Sequence, residues 1–427
     1  MTDIVTRLSG DANAARRLKG IYSICSAHPW VIEAGMMQAL DDDTPLLIES
    51  TSNQVDQYGG YTGMKPADFV RFVLGLAERM GFPHERLILG GDHLGPNAWR
   101  DLPGSEAMQR ADALIDAYVA AGFRKIHLDA SMRCADDPPR LSDEIVAERA
   151  ARLCAVAEAA AARVGLGDRP VYVIGTEVPV PGGASDELAS VEVTHASAAL
   201  ETVAVHRRAW QTHGLEAAWE RVVGLVVQPG VEFDHTKVVD YDAARASGLS
   251  DVLAKLPGMV FEAHSTDYQT PEALAALVND GFAILKVGPG TTFALREALY
   301  ALVDIESELI APQACSHLRD VVERVMLEQP NKWNAYYHGS EDEQRLLRTY
   351  SYSDRVRYYW TDPAISEATR KLIANLSAIG VRENLISQTM PQQYWKLRRN
   401  EIDATPMSLI HSKVRDVIGM YAAACRA

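Results

Sequence analysis

Short apolar runs rich in β-branched residues recur along the chain, and each stops at a polar or glycine-rich cluster. They read IYSICSA from Ile21, PLLIEST from Pro45, LILGGDH from Leu87, KIHLDAS from Lys125, VYVIGTEV from Val171, GLVVQPG from Gly224, GMVFEAHS from Gly258 and AILKVGPG from Ala283. Strands buried on both faces, as in a parallel sheet, have this pattern. The gaps between them carry helical periodicity. Pro29, Pro66 and Pro271 stand where a first helical turn begins, Gly81 and Gly122 stand just past helix ends, Ser142 opens a long alanine-rich helix, and Thr270–Pro271–Glu272 forms a helix start. About eight β–α units in series predict an α/β chain folded as a closed (β/α)8 TIM barrel. A doubly wound open sheet is the competing arrangement, and no GxGxxG follows the first strand to support it. The alternation stops near residue 310. Residues 1–310 are read as the barrel, and 311–427 as a helical extension packed on it that includes an aromatic-rich stretch from Lys332 to Trp360.

A chain of 427 residues buries most of the surface its unfolded form exposes, so the fold needs no disulfide staple. The five cysteines, Cys25, Cys134, Cys154, Cys315 and Cys425, are odd in number and widely spaced, which fits free thiols in a reducing cytoplasm. The N-terminus lacks an apolar signal core and no run reaches the roughly 20 apolar residues of a membrane span, so a cytoplasmic location is expected. A formal charge of −15 argues against nucleic-acid and anionic-membrane partners. A small phosphorylated substrate is compatible with it, because that needs only local positive potential.

Active sites of (β/α)8 barrels lie at the carboxyl ends of the strands, and here those ends are polar. Glu49 and Ser50 end the second run, with Asn53 and Gln54 just after it, Asp92–His93 ends the third, Asp129 the fourth, Thr176–Glu177 the fifth and Gln228 the sixth. The seventh carries Glu262, His264, Ser265 and Asp267, and the eighth Lys286 and then Gly288–Thr292. Period two puts Glu262 with His264, and His127 with Asp129, on one side of their strands. His93, His264 and Glu177 form a candidate three-ligand site for a divalent metal such as Zn, Mn or Mg. Asp92 is the first candidate proton shuttle, Asp129 or Asp267 the second, and Glu262 a further catalytic candidate. His235 is an additional histidine in a loop of unknown direction. Gly288, Gly290 and Thr291 at a helix start read as a phosphate cradle or as a plain tight turn. Arg355, with Arg357, reads as a phosphate clamp over the mouth or as a salt-bridging pair. Glu49, Ser50, Asn53, Gln228 and Lys286 are candidate substrate-binding residues, and Lys286 would serve as a Schiff-base amine if no metal is used.

HPWVIEAGMMQAL from His28, IESTSNQVDQYGGYTGMKPADF from Ile48, GGDHLGPN from Gly90, HLDASM from His127, TEVPVPGGA from Thr176, QPGVEF from Gln228, FEAHSTDYQ from Phe261, LKVGPGTTFALREALYAL from Leu285 and YSYSDRVRYYW from Tyr350 resemble the Z-type subunit family of class II tagatose-1,6-bisphosphate aldolases over nearly the whole chain. The resemblance implies a (β/α)8 barrel and hexose-phosphate metabolism, as in galactitol use. It implies either a D-tagatose 6-phosphate 4-epimerase yielding D-fructose 6-phosphate, or a non-catalytic accessory subunit that supports a class II aldolase catalytic subunit. An independent bisphosphate aldolase is a third reading. A tagatose-6-phosphate kinase name also circulates in the family, but the sequence has no P-loop. The Asp92–His93 pair is similar to that of class II aldolases, whereas their second histidine, on the sixth strand, is Gln228 here. A ketohexose phosphate is therefore the expected small partner, and a homo-oligomer is compatible with the chain.

Carbon 4 of a 2-ketohexose is β to the carbonyl, so its C–H is not acidified. Retro-aldol cleavage between carbons 3 and 4, rotation of the aldehyde and re-addition would invert it. That route needs a base for the 4-hydroxyl, an electrophile for the enediolate and a lid that retains the fragment, for which the aromatic stretch near Tyr350 is the candidate.

Overall fold

A computed structural model describes residues 2–9, 18–175 and 191–426. Eight parallel strands close a barrel: β1 (Ile21–Ile24), β2 (Leu46–Thr51), β3 (Leu87–Leu94), β4 (Lys125–Leu128), β5 (Val171–Gly175), β6 (Val222–Val226), β7 (Val260–Ala263) and β8 (Ile284–Val287). They neighbour one another in chain order, and β8 closes on β1 with Ser23 beside Lys286. The fold is thus the (β/α)8 barrel that the alternating pattern predicts. A short hairpin, Glu232–Phe233 with Val238–Val239, projects after β6.

Helices separate successive strands, and their starts follow from local chemistry. Pro29, Pro66 and Pro271 sit in first turns, where the missing N–H costs nothing. Ser142 Oγ accepts the N–H of Ile145, and Thr270 Oγ1 that of Ala273. Gly81 ends its helix at φ 65°, a left-handed conformation that glycine adopts without strain. No helix among the described residues is long and apolar enough to cross a membrane.

The two ends of the barrel differ. At the amino ends of the strands, helix Thr2–Ser9 inserts Val5 and Leu8 against Ile21, Leu47, Val171 and Val260, all buried. Arg7 fastens this plug by donating to the carbonyl of Gly258 at 2.7 Å. At the carboxyl ends the interior turns polar. One strand irregularity matters there: the β3–β4 register shifts between Gly91 and Leu94, and His93 has φ 50°. A bulge of this kind re-aims side chains, so Asp92 and His93 both reach the barrel mouth although they are sequence neighbours.

The residues beyond 310 are mostly helical, and the last helix, Pro406–Cys425, is part of the barrel wall. It packs against helices Pro29–Asp42, Pro271–Asn279 and Pro289–Leu309 and touches β1. Tyr421 donates its buried hydroxyl to the Thr266 carbonyl at 2.6 Å, and the Lys19 N–H donates to Cys425 at 2.8 Å. Stopping the chain after Asp403 would expose the apolar faces of three helices. Circular dichroism of that truncation is expected to show no cooperative thermal transition; a native-like melt would contradict this account.

Candidate active site

Side chains on alternate positions stack in two layers inside the mouth. The lower layer joins Glu49 of β2, Lys125 of β4, Glu262 of β7 and Lys286 of β8, all buried. Lys125 Nζ lies 2.8 Å from Glu49 Oε1 and 2.7 Å from Glu262 Oε2, while Lys286 Nζ lies 2.7 Å from Glu49 Oε2 and 2.8 Å from Asp92 Oδ1. Glycine is required opposite: a Cβ on Gly90 would stand 2.7 Å from Glu49 Cγ.

Above this layer three imidazoles face one another, with ring centroids 4.9–5.4 Å apart for His93, His127 and His264. One potential ligand atom from each, and one from Asp92, all lie within 4.8 Å of one another. Each ring has its other nitrogen committed. His93 Nδ1 is 2.8 Å from Asp129 Oδ2, His264 Nε2 is 2.9 Å from Glu262 Oε1, and His127 Nε2 is 3.0 Å from the Gly175 carbonyl. A proton on each of these nitrogens leaves His264 Nδ1 open, and His93 Nε2 open once it has lost its proton, whereas His127 Nδ1 accepts the His93 backbone N–H at 3.2 Å and lies 3.1 Å from Asp92 Oδ1. Metal-binding histidines are oriented in this way, by donating the far N–H to a carboxylate or carbonyl.

Charge points the same way. Glu49, Asp92, Asp129 and Glu262 are four carboxylates against the two ammonium groups of Lys125 and Lys286, a surplus of two negative charges when the imidazoles are neutral. Uncompensated buried charge is costly, and a divalent cation among the imidazoles cancels this surplus. The donor set therefore fits a divalent metal.

The titration behaviour follows from burial and neighbours. Burial raises the carboxyls of Asp92 and Glu262, but His93 and Lys286 around the first, and Lys125 and Lys286 around the second, more than reverse it and hold both well below the usual range. Burial lowers His93, yet the charge of Asp92 and the hydrogen bond of Asp129 bring it up to about 9, so its Nε2 carries a proton that a metal ion would displace. Burial dominates at His264 and takes it down to about 3. For Lys286 burial is outweighed by Asp92 and the neighbouring acids, so it stays an ammonium group; a Schiff-base role needs the free amine.

A cavity of 740 Å3 opens over His93 and His264. Asp92, His93, His264 and Lys286 form its floor, and Tyr336, Arg355, Arg357 and Tyr358 its roof. The roof turn, a 3-10 helix over Arg355–Tyr358, is fixed by Asp354, which lies 3.0 Å from Arg296 Nε and accepts Thr292 Oγ1 at 2.6 Å. Tyr350 itself is exposed and lies outside this cavity, so the cover comes from later in the aromatic stretch. A second cavity of 680 Å3 adjoins the first and shares Cys25, Gln54, Tyr61 and Arg357 with it.

The structure brings Asp92, His93 and His264 together as ligand-type groups, and Asn53, Asp267, Lys286 and Arg355 line the same cavity. Glu177 lies outside the described residues. Several expectations are corrected. Glu49 is sealed beneath the site as the bridge between two lysines. Ser50 points the other way, toward the helices, with its hydroxyl 3.0 Å from that of Tyr118. Gln228 spends its side-chain oxygen on the N–H groups of Gly230 and Val231, which shapes the loop after β6. Asp129 orients His93, and Glu262 orients His264, so neither is a free proton shuttle.

The expected phosphate cradle is filled from within. Asp267 Oδ1 accepts the N–H of Gly288 at 3.0 Å and of Gly290 at 2.7 Å, and Thr291 Oγ1 donates back to the Gly288 carbonyl. Burial raises the Asp267 carboxyl to about 6, against these backbone donors. Arg355 donates to the Lys332 carbonyl and stacks over Tyr336, its guanidinium carbon 3.5 Å from the ring centre. His235 pins the roof between Ser351 and the Tyr336 carbonyl rather than lining the site. His127 and Lys125 are the residues the sequence reading did not put forward for the site. The period-two relation of Lys125, His127 and Asp129 was the available signal.

A family model described as D-tagatose-1,6-bisphosphate aldolase subunit GatZ/KbaZ-like matches residues 6–426. Among solved structures the chain is similar to the protein described as "probable tagatose 6 phosphate kinase" from Sinorhizobium meliloti 1021, at 54% identity and TM-score 0.88, over 95% of this chain and 100% of that one. A more distant likeness is to fructuronate-tagaturonate epimerase UxaE from Cohnella laeviribosi, at 12% identity and TM-score 0.48, over 96% of this chain and 81% of that one. Another is to fructose-bisphosphate aldolase from Campylobacter jejuni, at 15% identity and TM-score 0.42, over 84% and 88%. Both are too low in identity and superposition to bear on function.

Orienting partners of metal-binding histidines are worth about 10–100-fold in affinity. Asp129→Asn is therefore expected to weaken divalent-metal binding by that factor in isothermal titration. His127→Ala is expected to leave the dialysed protein depleted of metal by elemental analysis; wild-type content in that variant would remove His127 from the site.

Proposed function

This chain belongs to the D-tagatose-1,6-bisphosphate aldolase subunit GatZ/KbaZ-like family, and on that premise we propose that it is a ketohexose-phosphate 4-epimerase, interconverting D-tagatose 6-phosphate and D-fructose 6-phosphate by cleavage and re-formation of the C3–C4 bond. The carrying observation is the cluster of His93, His127 and His264 around Asp92, with Asp92, His93 and His264 lining a cavity that Arg355 and Arg357 also line. A binding or scaffold subunit needs no such arrangement of buried acids and bases. The solved relative at 54% identity is named for tagatose 6 phosphate, which supports the choice of sugar.

In this reading His93, His127 and His264 hold a divalent ion, with Asp92 beside it. Such an ion supplies Lewis acidity for the carbonyl and for the enediolate charge. A nitrogen-rich donor set suits Zn better than Mn or Mg. Lys286, an ammonium at the cavity floor, adds positive potential where negative charge develops. Asp92 Oδ1 is engaged by Lys286, while Oδ2 lies 3.8 Å from His93 Nε2 and is placed to take the proton of the 4-hydroxyl. Arg355 and Arg357, rather than the filled loop at Gly288–Thr292, hold the phosphate and retain the aldehyde fragment. Transient oxidation at carbon 4 would require a nicotinamide, and the sequence lacks the dinucleotide fingerprint.

Purified protein supplied with Zn or Mn is expected to convert tagatose 6-phosphate into fructose 6-phosphate, followed by NMR, and to stop on chelation. Asp92→Asn should lower kcat by roughly 10²–10⁴-fold, the usual contribution of a positioned acid or base. Inert protein that acts only after mixing with a class II aldolase catalytic subunit would favour the accessory-subunit reading instead.

A further inference from the structure

We propose that Tyr358 is a catalytic residue, the acid–base group that serves the face of the substrate opposite Asp92. This rests on the epimerase reading and supplies the second proton relay that such a reaction needs. When C3–C4 breaks, the 4-hydroxyl proton passes to Asp92 and the bonding electron pair moves toward the C2 carbonyl, giving an enediolate and an aldehyde. After the aldehyde turns, C3 adds to the other face of the aldehyde carbon, and the electron pair of the enediolate forms the new C3–C4 bond. The oxygen on C4 is then an oxyanion pointing away from the floor. Asp92, held by Lys286 at 2.8 Å, cannot follow it across the cavity.

The roof offers a hydroxyl suited to the task. Tyr358 lines the same cavity as Asp92. Arg357 Nη2 donates to the phenol oxygen at 2.9 Å, which leaves the hydroxyl's own hydrogen to be given to a ligand. The guanidinium carbons of Arg357 and Arg355 stand 4.5 and 5.0 Å from the ring centre, and Tyr61 meets the ring edge-on at 4.9 Å. A charged donor on the oxygen stabilises a phenolate, and two cations over the ring do the same. Burial raises the phenol, but Arg357, Arg355 and Lys332 outweigh it and leave Tyr358 below its ordinary value; burial pushes its neighbour Tyr61 upward.

The step balances. Tyr358 gives its proton to the C4 oxyanion and becomes a phenolate beside Arg357, while Asp92 holds the proton taken from the starting hydroxyl. Water in the open cavity returns one proton to Tyr358 and accepts the other from Asp92. In the reverse direction the two residues exchange roles.

The test is Tyr358→Phe in the metal-loaded full chain, with tagatose 6-phosphate. A fall in kcat of roughly 10²–10⁴-fold with KM within a few-fold of wild type is expected. Replacement of Tyr358 by 3-fluorotyrosine, which preserves the packing and makes the phenol more acidic, should move the alkaline limb of the kcat profile to lower pH. Near-wild-type kcat in Tyr358→Phe, a change confined to KM, or an unmoved limb in the fluorinated protein would each overturn the assignment. If wild-type protein epimerises no ketohexose phosphate, the underlying reading fails and the tyrosine has no reaction to serve, an outcome separate from an active wild type with an indifferent Tyr358.

Discussion

The ion-paired layer of Glu49, Lys125, Glu262 and Lys286 inside the barrel is what the rest of the site depends on. Four fully or nearly buried charges persist there because each contacts opposite charge at 2.7–2.8 Å. Replacing one member alone would strand a buried charge, a loss of about 3–5 kcal/mol. The layer also sets the geometry above it. Glu262 holds His264 by one nitrogen, and Lys286 holds Asp92, so the floor of the cavity inherits its positions from the charges beneath. With Asp129 included, acids outnumber bases, and the cluster is a ready seat for a divalent cation.

Rigid floor and covering roof come from different parts of the chain. The floor is built on strands whose amino ends are plugged by Val5 and Leu8 and whose wall is completed by the C-terminal helix. The roof comes from the 3-10 turn Arg355–Tyr358, tied to the helix after β8 through Asp354, Arg296 and Thr292. The proposed epimerisation, which cleaves a sugar and must keep the fragment, needs both a fixed centre and a cover.

Much of this was legible in the sequence because strand and helix periods are local properties. Eight apolar runs ending in polar residues suffice for the barrel, and Asp92, His93 and His264 stand at run ends. The same period-two argument that pairs Glu262 with His264 reaches Lys125 and His127, whose burial within KIHL disguised them as ordinary strand residues. Other features of the site are not local. The Gly288–Gly290 amides look free in the sequence, and only the fold brings Asp267 onto them from the loop after β7. Ser50 and Glu49 are adjacent, so only one can face the barrel interior; composition does not say which, and the pairing with Lys125 and Lys286 decides it. Gln228 ends a strand like the others but turns its oxygen into its own loop. The bulge at His93 likewise depends on the β3–β4 register, which no single strand encodes.

The central claim is that His93, His127 and His264 together hold one divalent ion above the charged layer. Anomalous diffraction from crystals grown with Zn or Mn tests it most directly. The account predicts a single strong peak about 2.0–2.2 Å from His93 Nε2, His127 Nδ1 and His264 Nδ1. No peak among these nitrogens, at metal concentrations that fill other sites on the protein, would contradict it.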